Sequence, residues 1–267
     1  MDYKIKNILI RNSDLLKKNK INFIKLFNNY QTGGGKDLTV IYYDKKYIFK
    51  KSEDVNGNYV LFSKDNEECV YIIISEDDKT AEIHGIGSYS SCLQETNQNI
   101  GSTLLKITLK LLKKYQDKFQ INMIILTDNS IKKCNKVDIK LPIMMTLLTG
   151  DTWYGKYGFR PIKIMGNAYG FDEFEGKKYE QNKKIMNNIK ISDINLIKYI
   201  KITNNPHIIN ATEQIIKKSP NMLLKNFLAN FLKSYDKTCE YFFMFYEELY
   251  SKIRVYDPHR EFYGMVL

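Results

Sequence analysis

The chain has 267 residues, of which 43% are hydrophobic and 27% are charged, and this balance is typical of a folded protein and excludes a disordered one. The formal net charge of +11 favours polyanions, but no nucleic-acid-binding motif accompanies it, so we interpret the lysines as a solvated surface and expect no nucleic-acid partner. The 4 cysteines form no CxxC pair and have no His at metal spacing, so we predict no bound metal.

The start of the chain, Met1-Asp2-Tyr3-Lys4, is polar and predicts no signal peptide. The most apolar stretch, residues 241–250, is too short to span a bilayer, so we expect no membrane partner. An even number of cysteines is not evidence for disulfides in a chain of this size. These features predict a soluble, cytoplasmic protein with reduced cysteines. The heavy use of Asn, Lys and Ile is typical of AT-rich genomes, and a viral origin would place the protein in a host's cytoplasm.

The N-terminal third carries mostly strand signals. Residues 3–10 predict a strand, and Ser13-Asp14 caps a predicted helix that ends near Tyr30, before Gly33-Gly34-Gly35. Polar turns separate the strands that follow, as in an antiparallel meander. These strands are predicted at residues 38–43, 47–51, 59–63, 69–75 and 80–88.

From Ile100 the apolar period changes from that of strands to that of a helix, which ends near Tyr115. A buried strand at residues 121–127, a polar loop at 128–140, an apolar helical segment at 143–148 and a strand at 154–164 follow. The strand–helix–strand portion, about 80–127, has the length of a crossover between parallel strands. The order of elements therefore predicts a mixed α/β (α+β) fold.

After residue 170 helical patterns dominate. Residues 172–184 are charged and predict a linker, and helices are predicted at 185–202, 208–217, from Ser219-Pro220 onward, and at 241–250, before a C-terminal strand. We therefore predict one domain at residues 1–170 and a mainly helical extension at 171–267.

The segment most informative about function joins a predicted strand to the helix at Ile100, through Gln94-Glu95-Thr96-Asn97-Gln98-Asn99-Ile100-Gly101-Ser102. A helix start exposes unpaired backbone N–H groups at the positive end of the helix dipole, which suits a diphosphate. Gly101 allows the backbone to approach a ligand closely. Taken alone, this loop is a weak signal, because most loops of this kind are ordinary helix caps.

A second segment, Trp153-Tyr154-Gly155-Lys156-Tyr157-Gly158-Phe159, ends a predicted helix and enters a strand. Together with Ile100-Gly101-Ser102-Thr103-Leu104-Leu105, it resembles the GNAT superfamily of N-acyltransferases over about residues 59–165. That family has a phosphate loop that often continues Ile-Gly-Ser-Ala-Leu-Leu and a helix that ends Leu-Tyr-Glu-Lys-x-Gly-Phe. The resemblance implies a mostly antiparallel sheet flanked by helices.

The resemblance also implies direct transfer of an acyl group, most simply acetyl from acetyl-CoA, to an amine of a protein or of a small molecule. The amide arm of the cofactor would pair with the strand at 80–88, and its diphosphate would bind the loop before Ile100. The residues that the resemblance assigns to cofactor binding are Ile86, Gly87, Ser88, Gln98, Asn99, Ile100, Gly101, Ser102, Thr103 and Asn129.

Acyl transfer requires a base for the ammonium and an acid for the leaving thiolate. Tyr154 matches the family's usual acid, and the alternative is a tyrosine buried for packing. Strand alternation places Glu82, His84 and Ile86 on one face, so Glu82 or His84 is a candidate base. A solvated Glu and a hydrogen-bonded His are the alternatives. The pair Gly85 and Gly87 predicts a bulge or a splayed strand here.

The phosphate loop departs from the family pattern, because Asn99 stands at its first Gly and Thr96 at its Arg or Gln. These departures favour an alternative in which the chain is a catalytically inactive binding module of the same fold. A basic nucleic-acid-binding protein is a third hypothesis that rests on charge alone. The acceptor, the acyl chain length and the oligomeric state stay open.

Overall fold

A computed structural model describes residues 36–42, 45–53, 59–62, 67–75, 77–87, 90–93, 100–165, 168–234, 238–258 and 262–267. The predicted strand at 3–10, the helix that Ser13-Asp14 caps and the glycine triplet lie outside these residues. The fold is mixed α/β, with a mostly antiparallel six-stranded sheet and helices. None of the described helices is both long and apolar enough to cross a membrane.

The strands are β1 (Lys36–Tyr42), β2 (Lys45–Glu53), β3 (Tyr59–Phe62), β4 (Glu68–Ser75), β5 (Thr80–Ile86), β6 (Met123–Thr127), β7 (Ile131–Cys134), β8 (Val137–Lys140), β9 (Arg160–Met165), β10 (Ala168–Phe171) and β11 (Phe262–Val266). The helices are α1 (Ile100–Lys114), α2 (Leu141–Thr149), α3 (Glu173–Asn188), α4 (Leu196–Ile200), α5 (Pro206–Lys218), α6 (Leu224–Ser234) and α7 (Thr238–Ile253).

The chain forms two compact units. The first contains the described residues up to Thr127, with 168–169 and 264–267, and the second contains Asp128–Met165 and the described residues from Gly170 to Tyr263. In the first unit β1 to β5 pair as consecutive antiparallel neighbours, as the meander prediction required. β6 then pairs with β5 in parallel, and the crossover between them is α1, which packs on β4 and β5. The apolar face of α1 explains this packing, because Leu104, Leu105 and Ile107 are buried.

The second unit is built around the aromatic face of α7. Phe242, Phe245 and Tyr246 are fully buried in one core with Leu147 of α2 and with residues of the hairpin β7–β8. Through this packing, residues 128–165 belong to one compact unit with the C-terminal helices. The sequence pattern predicted a domain boundary at residue 170 instead. The predicted domain limits of 1–170 and 171–267 stay a prediction. Long-range packing of this kind leaves no local signal in the chain.

Two predicted loops in this unit are regular elements. Residues 128–140 contain the hairpin β7–β8, which packs on α7. Lys140 N donates a hydrogen bond to the Tyr246 hydroxyl of α7 at 3.0 Å, and Ile139 is fully buried. The charged segment predicted as a linker is α3, whose first turn is capped by Asp172. The Asp172 carboxylate accepts from Phe174 N and Glu175 N, both at 3.0 Å. The buried residues of α3 are Tyr179, Asn182 and Met186. Because they are so few, the helical period is hard to recognise among the charged residues of this segment.

The cysteines are paired, and the expectation of reduced cysteines is wrong for this structure. Cys69 and Cys92 form a disulfide in the first unit, with Cα atoms 5.6 Å apart. Cys134 and Cys239 form another in the second unit, with Cα atoms 6.0 Å apart. The partners are separated by 23 and 105 residues, so spacing along the chain gives no hint of either pair.

Candidate functional site

In the first unit, the parallel strands β5 and β6 pair over only part of their length. The ladder between β5 and β6 consists of the pairs Thr80–Met123, Ala81–Ile124 and Glu82–Ile125. Although both strands continue, the ladder joins no later residues of β5 and β6 within the described part of the chain. The far edge of β5 still pairs with β4 up to Ile86. The carboxyl half of β5 therefore offers backbone N–H and C=O groups on the side from which β6 has diverged.

A bulge lies in the same half of β5. Tyr71 of β4 is opposite Gly85, and the next residue, Ile72, is opposite Ile83, so His84 is the extra residue. This confirms the predicted bulge near Gly85. A bulge bends its strand and increases the local twist, which re-aims the side chains around it.

Glu82 and His84 share the exposed face of β5, as the alternation predicted. His84 Nδ1 lies 3.6 Å from Glu82 Oε1, and their side chains are 58% and 30% exposed. The His84 ring meets the ring of Tyr71 edge-on, with centroids 5.3 Å apart. Ala81 and Ile83 are buried on the opposite face. Both candidate bases are thus accessible and adjacent to each other.

The start of α1 places Ile100, Gly101, Ser102 and Thr103 in its first turn, where they are half-buried. The first turn holds no acidic residue, and Lys113 and Lys114 occupy the last turn. Its leading N–H groups have no partner within the helix, and no carboxylate of that turn competes for the positive end of the dipole. The predicted cofactor residues Ser88, Gln98 and Asn99 lie outside the described residues.

The Cys69–Cys92 disulfide holds the segment that connects β5 with α1. Gly87 N donates to Cys69 O at 2.8 Å, directly after β5. Five residues further on, Cys92 is bonded to Cys69 itself, and both cysteines and Leu93 are buried. The chain that leaves β5 is therefore fastened to β4 at two points before it reaches α1.

Tyr154 lies in the second unit, in the turn that follows α2. Its ring is buried against Trp153 and Phe159, with centroids 4.6 and 5.8 Å away. Burial, followed by the charges of Asp128 and Tyr157, raises the pKa of the Tyr154 phenol well above its ordinary value. The phenol therefore stays protonated at neutral pH and can donate a hydrogen bond.

Asp128, the first residue after β6, is fully buried and was not predicted as a site residue. Its Oδ1 accepts from Ser130 N at 3.2 Å and from Ser130 Oγ at 2.5 Å. Among the described residues its Oδ2 has no hydrogen-bond partner. Burial raises the pKa of the Asp128 carboxyl to about 6, although the bonds from Ser130 oppose this. Asn129, a predicted cofactor ligand, is exposed beside it.

Helix α3 supports the turn that carries Tyr154. The Asp151 carboxylate accepts hydrogen bonds from the Tyr179 hydroxyl and from Lys183 Nζ, both of α3. Gly155 N donates to Thr152 Oγ1 at 2.9 Å. A Cβ on Gly155 would overlap the Tyr179 hydroxyl and the Asp151 carboxylate, so this position requires glycine. The contacts between α3 and this turn were not predicted from the sequence, because the charged residues that form α3 were interpreted as a linker.

Within the described part of the chain no group of three or more His, Cys, Asp or Glu side chains is placed to bind a metal ion. Comparisons with family models, with curated proteins and with solved structures find no match to this chain.

Proposed function

We propose that this protein is an acyl-CoA-dependent N-acyltransferase of the GNAT type, which transfers an acetyl group directly from acetyl-CoA to an amine. The observation that carries the proposal is the parting of β5 from β6 after the Glu82–Ile125 pair. The edge of β5 beyond this pair suits the amide arm of coenzyme A, which would add to the sheet as a short strand does.

The topology also supports a cofactor site at the carboxyl ends of β5 and β6. In a strand–helix–strand unit the helix runs antiparallel to the two parallel strands, so the N-terminus of α1 lies toward their carboxyl ends. Ligands of α/β units bind beyond the carboxyl ends of the strands. The first turn of α1, with Gly101 and Ser102, would hold the diphosphate through backbone N–H groups.

The reaction forms a C–N bond between the acceptor nitrogen and the thioester carbon and breaks the C–S bond, whose electron pair goes to sulfur. Glu82 or His84 would take the proton from the ammonium, directly or through water. Tyr154 would donate a hydrogen bond to the sulfur as the thiolate leaves. Because its pKa is raised, the phenol serves better as a hydrogen-bond donor than as a full proton donor.

A catalytically inactive protein of the same fold is the second candidate, favoured by Thr96 and Asn99 at the two motif positions that usually hold Arg or Gln and Gly. This alternative predicts that the protein acetylates no amine, whether or not it binds acetyl-CoA.

Calorimetric titration with acetyl-CoA tests the proposal, and the variant Ser102→Asp sharpens it. A carboxylate in the first turn of α1 favours the helix dipole but repels a diphosphate, so we expect folding to be retained and affinity to fall at least about tenfold. Ser102→Asn has the same shape without the charge and should bind nearly as the natural chain does. The absence of heat and of thermal stabilisation at millimolar acetyl-CoA would sink the proposal.

A further inference from the structure

The two candidate bases of β5 differ in how the strand holds them. Glu82 lies in a regular part of the sheet, because it pairs with Ile73 of β4 on one side and with Ile125 of β6 on the other. His84 is the extra residue of the bulge and has no partner in the ladder between β4 and β5. The sheet therefore fixes the position of Glu82, and the bulge sets the direction of the His84 side chain.

Two neighbours in the first unit orient the imidazole ring of His84. Its Nδ1 atom lies 3.6 Å from Glu82 Oε1, and the ring meets that of Tyr71 edge-on, with centroids 5.3 Å apart. The side chain of His84 is 58% exposed, whereas that of Glu82 is 30% exposed. Of the two candidate bases, the imidazole is therefore the more accessible to an acceptor amine.

The identity of the nearer ring nitrogen decides which nitrogen can act as a base. A carboxylate accepts hydrogen bonds and cannot donate one, so the Glu82 carboxylate favours a proton on Nδ1. The neutral ring carries a single N–H proton, and Nε2 then holds the basic lone pair. Because the contact is longer than a hydrogen bond and both side chains are partly exposed, the carboxylate biases the tautomer without fixing it completely.

We propose that His84 is the general base of the reaction, through Nε2, and that Glu82 is a positioning residue that favours the Nδ1–H tautomer. This inference rests on the proposed function and names which of the two candidates takes the proton. An N–H bond of the ammonium breaks, its proton bonds to Nε2, and the electron pair left on the nitrogen attacks the thioester carbon. The imidazolium carries its charge beside the Glu82 carboxylate and then releases a proton to solvent.

The test is a two-bond ¹H–¹⁵N correlation spectrum of the histidine rings, recorded without acyl-CoA at about pH 9, where histidine rings are neutral. The ¹⁵N shifts distinguish the two tautomers. The chain has 3 histidines, and the signals of His84 are identified by their loss in His84→Gln. We expect a larger Nδ1–H fraction for His84 in the natural chain than in Glu82→Ala, and an equal fraction in the two proteins overturns the proposal.

His207 serves as an internal reference that keeps the test decisive if Glu82→Ala does not fold. It is exposed in the first turn of α5, and none of the described carboxylates forms an ion pair with it. Without the influence of Glu82, two exposed rings should have similar tautomer ratios. We expect His84 to hold the larger Nδ1–H fraction in the natural chain, and a fraction equal to or below that of His207 overturns the proposal.

Steady-state kinetics separate the role of the base from that of the positioning residue. We expect His84→Gln to lower kcat by about 10²-fold or more. Glu82→Ala should lower it by about three- to tenfold, because a partly exposed ion pair acts weakly. In the His84→Gln background, Glu82→Ala should lower kcat no further, since a residue that acts through another has no effect in its absence. An equal loss from Glu82→Ala in both backgrounds overturns the proposal.

The spectra distinguish a failure of this inference from a failure of the proposed function. Acetyl-CoA that does not bind the natural chain overturns the proposed function, and with it the reaction in which His84 would act. An equal tautomer ratio in a protein that binds acetyl-CoA overturns only the roles assigned to His84 and Glu82.

Discussion

His84 Nδ1 lies 3.6 Å from Glu82 Oε1, and the bulge in β5 is what leaves His84 outside the regular ladder with β4. The last residue of β5 that pairs with β6 is Glu82. The two candidate bases therefore lie next to each other where the parallel strands begin to part.

Replacing the base should slow acyl transfer without weakening cofactor binding. For Glu82→Gln or His84→Gln, whichever residue is the base, we expect kcat to fall by about 10²-fold or more, because general base catalysis typically contributes that much. Release of free thiol from acetyl-CoA in the presence of an amine measures the rate. Asp77→Asn changes an exposed carboxylate in the turn before β5 and should leave kcat unchanged. Full activity in both Glu82→Gln and His84→Gln would exclude this pair as the base.

Tyr154→Phe should reduce kcat by about 10²-fold with little change in the affinity for acetyl-CoA. The substitution removes only the hydroxyl, and the ring contacts with Trp153 and Phe159 remain. Tyr157→Phe, in the same turn, is the matched control and should retain most of the activity. Retention of the full rate in Tyr154→Phe would remove the phenol from the reaction.

Gly155→Ala should destabilise the fold by about 1–3 kcal/mol, because the added Cβ would overlap the Tyr179 hydroxyl and the Asp151 carboxylate. The matched control is Gly176→Ala in α3, where a Cβ would meet nothing within 4 Å. That change should stabilise the protein by about 0.4–1 kcal/mol, since alanine loses less conformational entropy on folding. Urea unfolding measures both. Equal stability of the two variants would contradict the close contact between α3 and this turn.

The two disulfides should differ in their effects on stability and on cofactor binding. Cys134→Ser with Cys239→Ser opens a loop of 105 residues and should cost about 4–5 kcal/mol, against about 3 kcal/mol for Cys69→Ser with Cys92→Ser, which opens a loop of 23 residues. The Cys69–Cys92 bond also fastens the chain between β5 and α1. Only its removal should weaken acetyl-CoA binding, which calorimetry measures on both folded double variants. Equal losses of affinity would refute this difference.

Asp128 should make the free energy of unfolding depend on pH in mild acid. Burial raises the pKa of its carboxyl from 3.8 to about 6, so the folded state binds the proton more tightly than the unfolded chain does. The resulting stabilisation is fully present below about pH 4 and is lost as the pH rises to about 6, with a total on the order of 3 kcal/mol. Relative to Asp128→Asn, the natural chain should lose stability over this window in urea unfolding. Asp138→Asn, on the exposed side of β8, should not alter the pH profile.

The sequence by itself determined the elements whose pattern is local. Alternating residues 80–86 predicted β5 and the shared face of Glu82 and His84, and the apolar stripe from Leu104 to Leu112 predicted α1, because burial of one face imposes a period of two or 3.6 residues. The glycines around His84 also predicted the bulge. The same local signals indicated the crossover between parallel strands, and with the motifs at Ile100 and Trp153 they suggested the chemistry.

The tertiary structure alone decided which distant residues meet. The pairs Cys69–Cys92 and Cys134–Cys239, the support of the Asp151 turn by Tyr179, and the burial of Asp128 all depend on contacts between segments far apart in the chain. Such contacts impose no period on the residues that make them. A charged stretch such as α3 therefore gave the signal of a linker, although its few buried residues, Tyr179, Asn182 and Met186, hold it in the core.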